Sequence, residues 1–183
     1  MDIRVNVERL KQDLEELGRI GRDEHGGISR PSFSPADFEA RAWLRKKIEE
    51  AGLCYRQDGA GNQFGRIERA GKTVMAGSHI DTVPNGGMFD GAVGVVSALE
   101  AARRILEERV PVSRPLEVAA FTDEEGNLVG DFLGSRAFMG LLDQDEIQNG
   151  KTSFGMPFRD ILKRTEFTAE GILAAHKQRP GLE

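Results

Sequence analysis

One histidine and several acids stand where they could share a cation. The stretch Gly77-Ser78-His79-Ile80-Asp81-Thr82-Val83-Pro84-Asn85-Gly86-Gly87-Met88-Phe89-Asp90-Gly91 places His79, Asp81 and Asp90 within twelve positions. A second acidic group, Thr122-Asp123-Glu124-Glu125-Gly126, follows further along the chain. Imidazole nitrogen together with carboxylate oxygen suits zinc, manganese or cobalt better than calcium. Two carboxylates about 4 Å apart repel by roughly 4 kcal/mol at an effective dielectric near 20. Converging Asp81, Asp90, Glu124 and Glu125 without a counter-charge would therefore be costly. A divalent ion removes that repulsion and lowers the pKa of its bound water toward about 7, which is the chemistry of hydrolysis.

Each of these residues also has a plainer reading. His-x-Asp is a common triplet, but residues i and i+2 of a strand face the same way. Asp81 can thus reach the ring nitrogen of His79 that points away from a metal and fix its tautomer. Asp90 precedes a predicted helix, where an aspartate is often only an N-cap. Against that, Gly86-Gly87 lets the chain fold Asp90 back toward His79. Glu124-Glu125 would ordinarily be a solvated charge run. Adjacent residues of an extended chain point to opposite sides, so one of these acids can ligate while the other serves as a base.

The elements around these residues must place them. Thr73 to Ile80 reads as a short apolar strand buried on both faces, and Leu116 to Phe121 as another. Between them, Gly91 to Arg109 carries Val95, Leu99, Ala102 and Leu106 on one helical face. Strand, helix, strand is a βαβ unit, so the fold class is α/β with a mostly parallel central sheet. Parallel sheets hold their ligands at the carboxyl edge of the strands, where His79 and Glu124-Glu125 both fall.

Upstream, Ile3, Val7, Leu10, Leu14 and Leu17 mark an amphipathic helix with Asn6 as its N-cap. Ser34-Pro35-Ala36-Asp37 starts a second helix, with Ala40, Leu44, Ile48 and Ala51 as its stripe and Gly52 at its end. Leu53 to Gln57 and Gln63 to Glu68 read as two strands joined by Gly59-Ala60-Gly61-Asn62. Beyond Gly130 three short helices are predicted, at Ser135 to Leu142, Pro157 to Arg164 and Thr168 to Lys177.

Length allows one domain with a real core: 183 residues, net charge −5, 39% hydrophobic and 30% charged. The acidic balance and the absence of a long basic run argue against nucleic acid as a partner. The charged start, Met1 to Leu17, lacks the apolar run of a signal peptide, and no stretch is long enough to span a bilayer. Cys54 stands alone, is expected to be a small buried residue, and suits a reducing compartment. A soluble cytoplasmic protein is expected. His25, in a glycine-rich loop, reads as solvated.

Taken as a set, Gly77-Ser78-His79-Ile80-Asp81-Thr82-Val83, Gly86-Gly87-x-Phe89-Asp90-Gly91 and Glu124-Glu125-Gly126 closely resemble the M20 family of metal-dependent hydrolases. Gly26-Gly27-Ile28-Ser29-Arg30, Phe33-Ser34, Ala40-Arg41-x-Trp43-Leu44, Ala51-Gly52-Leu53, Gly61-Asn62 and Gly134-Ser135-Arg136 narrow the likeness. They resemble the amidase, hydantoinase and carbamoylase branch, which includes N-carbamoyl-L-amino-acid hydrolases, ureidopropionases and allantoate amidohydrolases. The resemblance implies a three-layer α/β/α catalytic domain holding two divalent metal ions, zinc, manganese or cobalt. It implies that His79 binds one metal, Asp90 bridges two and Glu125 binds the other. Glu124 would be the general base and Asp81 would orient His79. The implied reaction is hydrolysis of a carbamoyl or ureido C–N bond of a small substrate by a bridging hydroxide. A metallopeptidase or aminoacylase of the same family is the alternative, and a non-catalytic scaffold is the alternative of another class.

Members of this branch carry two further histidine ligands and a dimerising lid domain, in chains about twice this length. Neither histidine segment is found here, and His176, followed by Lys177-Gln178-Arg179-Pro180, sits in a linker-like context. Residues 1–183 are therefore expected to be an N-terminal part of the catalytic domain. Alone they are expected to bind metal weakly and turn over little, the complete parent being a homodimer.

Overall fold

The structure, a computed structural model, describes residues 3–182. Met1 and Asp2, where the charged N-terminal stretch begins, and Glu183, its last residue, lie outside the described residues.

The first two helices start where the sequence capping signals stand. In α1 (Val7–Leu17) the Asn6 side chain accepts from the Arg9 N–H, and in α2 (Pro35–Glu50) the Ser34 hydroxyl accepts from the Asp37 N–H. The α2 stripe Ala40, Leu44 and Ile48 is fully buried. Two short strands follow, β1 (Cys54–Gln57) and β2 (Gln63–Ile67), then β3 (Val74–His79), α3 (Ala92–Glu107) and β4 (Leu116–Phe121). Four short helices close the described chain: α4 (Leu133–Met139), α5 (Gln144–Asn149), α6 (Phe158–Leu162) and α7 (Ala169–Ala174).

The four strands form one sheet in the order β1-β2-β4-β3. Alternate residues of β4 feed opposite faces, as period-two geometry requires. Val118 and Ala120 join Leu17, Leu44, Ile48, Val95 and Leu99 beneath α1, α2 and α3, while Ala119 packs with Phe64 and Phe138 on the α4 side. Helices thus cover both faces, giving the expected α/β class in three layers. A further cluster around Leu128, Leu133, Ile147, Phe158 and Ile172 binds the four short helices to one another.

Four details depart from expectation. The sheet is mixed: β3 and β4 are parallel, but β1–β2 and β2–β4 are antiparallel. The β1–β2 connection is too short for a crossover, so that pair has to run antiparallel. Nor is β3 buried on both faces. It lies at the sheet edge, paired with β4 alone among the four strands, and Val74 is 42% exposed; just before it, the Thr73 N–H donates to the Gly181 carbonyl (2.7 Å). Cys54, expected inside, is exposed at the start of the other edge strand. The helix α5 has no counterpart in the sequence reading, although Asp143 caps it by accepting from the Asp145 N–H.

Candidate metal centre

The crossover β3–α3–β4 brings the two motifs to one rim. His79 is the last residue of β3 and pairs in register with Phe121, the last of β4. The loop after β3 is fixed by two backbone bonds between Ile28 and Gly86, 3.0 and 2.8 Å, rather than by free rotation at its glycines. Arg30, fully buried, reinforces the same place by donating to the Ile80 carbonyl (2.6 Å) and to those of Leu17 and Ile20.

At the start of α3 the N-cap is Gly91, which has no side chain, and the Asp90 carboxylate turns to Glu125. Gly91 is in the left-handed region at φ 61, and a Cβ there would lie 2.5 Å from the His79 ring. The imidazole thus rests directly on the main chain. One ligand atom each from His79, Asp90 and Glu125 lie within 4.8 Å of one another.

Asp81 serves this group in a way the strand rule does not anticipate. Its backbone carbonyl, not its carboxylate, is nearest the His79 Nδ1, at 3.0 Å against 3.6 Å. A carbonyl only accepts, so Nδ1 carries the proton and Nε2 keeps the lone pair for a cation. The carboxylate instead accepts from the Glu124 N–H (3.4 Å) and the Glu125 N–H (3.2 Å). The reason is local: β3 ends at His79, so residues 79 and 81 no longer share strand geometry.

The two glutamates separate, although residues 124 and 125 lie in a turn and not in the extended chain expected. Glu125 faces His79 and Asp90, whereas both Glu124 oxygens turn to Ser135, accepting from its N–H (2.9 Å) and its hydroxyl (2.7 Å). Asp123, which has no role in the sequence reading, is wholly buried at φ 56. Its carboxylate accepts from the Asn127 and Leu128 N–H groups, both at 2.9 Å, and so shapes the acidic turn. The clue was present in Asp123 itself, since aspartate tolerates left-handed backbone and bonds to amides a few residues on. Asn62 is likewise a clip, accepting from the Thr122 N–H and donating to Asp58 and the Gly134 carbonyl.

The electrostatics are those of a site short of positive charge. Burial pushes the Asp81 carboxyl up to about 6, with His79 opposing and Asp37 adding. Burial, then Asp81, pushes Asp123 up to about 7. Glu125 is raised by burial, then opposed by His79 and raised further by Asp90 and Asp131. One neutral nitrogen and two carboxylates held this close fit a divalent cation, which would relieve the repulsion between them. His176 and His25 stand apart, the first accepted by the Leu173 carbonyl and the second exposed beside Glu24.

A family model described as Peptidase family M28 matches residues 62–169, well over half the chain, and the chain belongs to this family. It is 41% identical over 148 residues to an N-carbamoyl-L-amino acid amidohydrolase of Geobacillus stearothermophilus, covering 79% of this chain and 36% of the relative. It is 34% identical over 170 residues to the allantoate amidohydrolase of Escherichia coli, covering 88% of this chain and 41% of the relative. The crystal structure of a hydantoinase/carbamoylase family amidase from Burkholderia phymatum superposes with a TM-score of 0.83 at 36% identity. That match covers all of this chain and 43% of the other. The chain therefore spans less than half the length of these relatives. Their names are those of the amidase and carbamoylase branch that the motifs resemble, and the matched model bears the designation M28 where the resemblance points to M20. No helix among the described residues is long and apolar enough to cross a membrane.

Proposed function

We propose that this chain carries the metal-binding share of a divalent-metal-dependent amidohydrolase acting on the carbamoyl or ureido C–N bond of a small acid. N-carbamoyl amino acids and allantoate are the substrate class. The observation that carries the reading is the convergence of His79, Asp90 and Glu125 beside a separately held Glu124. His79 Nε2 and the carboxylates of Asp90 and Glu125 would hold the cations, two of them on this reading, zinc, manganese or cobalt. A bound cation there supplies Lewis acidity and a water of lowered pKa.

The chain's own residues do the rest. Asp81 keeps the His79 proton on Nδ1 and ties the acidic turn to the end of β3. Glu124 accepts a proton from water and returns it to the leaving nitrogen, the work of a general base and then acid. The names of the two relatives support the substrate class. A cytoplasmic location and a homodimeric parent belong to the same reading, the first supported by the lone Cys54.

The test has two parts. Chelator-stripped chain is titrated with Mn²⁺, Zn²⁺ and Co²⁺, and His79→Ala, Asp90→Asn and Glu125→Gln each abolish uptake. Ammonia release from N-carbamoyl-L-amino acids and allantoate is then followed with the natural gene product that carries these residues. There Glu124→Gln removes turnover and leaves bound metal unchanged. Chelator-insensitive hydrolysis would overturn the reading. The M28 match favours one second reading, a metallopeptidase, which would release free amino acids from peptides without ammonia.

A further inference from the structure

Glu124 is held by an arrangement that its neighbours in sequence do not explain. Three consecutive backbone bonds join the acidic turn to the start of α4: Phe132 N–H to the Glu124 carbonyl (3.3 Å), Leu133 to Asp123 (3.2 Å) and Gly134 to Thr122 (2.7 Å). This ladder fixes where Ser135 falls. Gly134 is essential to its closeness, since a Cβ there would lie 2.2 Å from Asn62 Oδ1 and 2.3 Å from the Thr122 nitrogen. Ser135 then meets the Glu124 carboxylate with two donors at once, its N–H on Oε1 and its hydroxyl on Oε2.

We infer that Ser135 is the positioning residue of Glu124, fixing the plane of its carboxylate so that it serves as a base and stays out of the cation cluster. This rests on the assignment of Glu124 as base given above. A glutamate has three rotatable side-chain bonds, and freezing them costs conformational entropy. Two donors on two oxygens supply that ordering before any substrate arrives. Each oxygen accepts one bond from Ser135 and keeps a second lone pair for water. Glu125, one residue on, has no such clamp and lies with His79 and Asp90 instead. The division of labour between two identical side chains is thus set by a serine on another element.

Two measurements test this. In the natural gene product, Ser135→Ala should lower kcat between about 10- and 100-fold with KM and bound metal unchanged. Ser135→Thr, which keeps both donors, should restore most of the rate. In the chain itself, carboxyl ¹³C NMR of labelled glutamate gives a Glu124 resonance, assigned by its loss in Glu124→Gln. That resonance should move in Ser135→Ala and stay near its place in Ser135→Thr. An unmoved resonance in Ser135→Ala, or a wild-type kcat there while Glu124→Gln is inactive, overturns the positioning role. Turnover surviving Glu124→Gln would sink the base assignment instead, so the two failures are separable.

Discussion

Two groups of buried charge in this molecule are built on opposite plans. Between α1, α2 and α3, each acid has a cation. Glu100, fully buried, accepts from Arg9 Nε (2.7 Å) and Nη2 (3.0 Å) and from the Asn6 N–H (2.9 Å). Asp13 is paired with Lys47 (2.7 Å) and with Arg103, and Glu16 takes Lys47 (2.7 Å) and the Trp43 N–H (3.1 Å). At the rim, the Asp81 and Asp123 carboxylates accept from main-chain amides and form no ion pair with a lysine or arginine among the described residues, and Glu125 faces Asp90. The protonation of the two groups differs in sign. Hydrogen bonds from Lys47 and Trp43 pull Glu16 down to about 2, while burial holds Asp81 near 6 and Asp123 near 7. The helix acids are neutralised by lysine and arginine within the chain, and the rim acids are not. Similar side chains stabilise the fold in one place and leave it strained in the other.

The sharpest way to break this contrast is to remove one acid from each side. Asp13→Ala leaves Lys47 with Glu16 alone and Arg103 with only the longer Glu100 contact (3.8 Å), and removing one partner of a buried pair costs up to about 3–5 kcal/mol, or roughly 10 °C of Tm for a chain of this size. Asp90→Asn in metal-free protein should leave Tm unchanged or higher. Equal losses in thermal unfolding would erase the distinction.

Next in size is the response to cations. At one hundred times its Kd, Mn²⁺ or Zn²⁺ should stabilise the chain by about 2.7 kcal/mol in thermal unfolding. Glu125→Gln should abolish the effect, and a full response in that variant would move the site elsewhere. Asp81→Ala keeps the carbonyl on His79 Nδ1 but removes the carboxylate that accepts from the Glu124 and Glu125 N–H groups, and is expected to weaken cation affinity about 10- to 100-fold by calorimetry. A wild-type affinity would show that the acidic turn keeps its place without the Asp81 carboxylate.

A further contrast lies in pH. The Glu16 pKa is depressed from 4.5 to about 2 on folding, so its contribution is complete above the unfolded value and fades as pH falls toward 2. Asp123 is raised from 3.8 to about 7, so metal-free stability declines as pH climbs through that interval. Denaturant unfolding across pH should show Glu16→Gln flattening the acid side and Asp123→Asn flattening the neutral side. Slopes of the same sign would unmake the contrast.

Much of this was readable in the chain, and the unread part has a common cause. Helical period, the Asn6 and Ser34 caps, and the strand–loop–helix rhythm around His79 are local signals, and each appears where expected. The meeting of His79, Asp90 and Glu125 was legible because parallel topology puts both loops at one edge. What stayed hidden depends on neighbours distant in sequence. The exposure of β3 follows from strand order, which no apolar run encodes. The Asp81 bonds to Glu124 and Glu125 span 43 and 44 positions, and the Ser135 clamp depends on a ladder invisible in either segment alone. Short α5 offers too few turns for periodicity to register.

The bare hydrogen of Gly91 against the His79 ring has a kinetic consequence. An imidazole wedged between backbone and the Asp81 carbonyl is already immobile when an ion arrives, so its entropy is spent at folding and not at capture. The carboxylate of Asp90 is the exposed member of the trio. On the proposed reading an arriving ion should therefore meet Asp90 first and a fixed imidazole second.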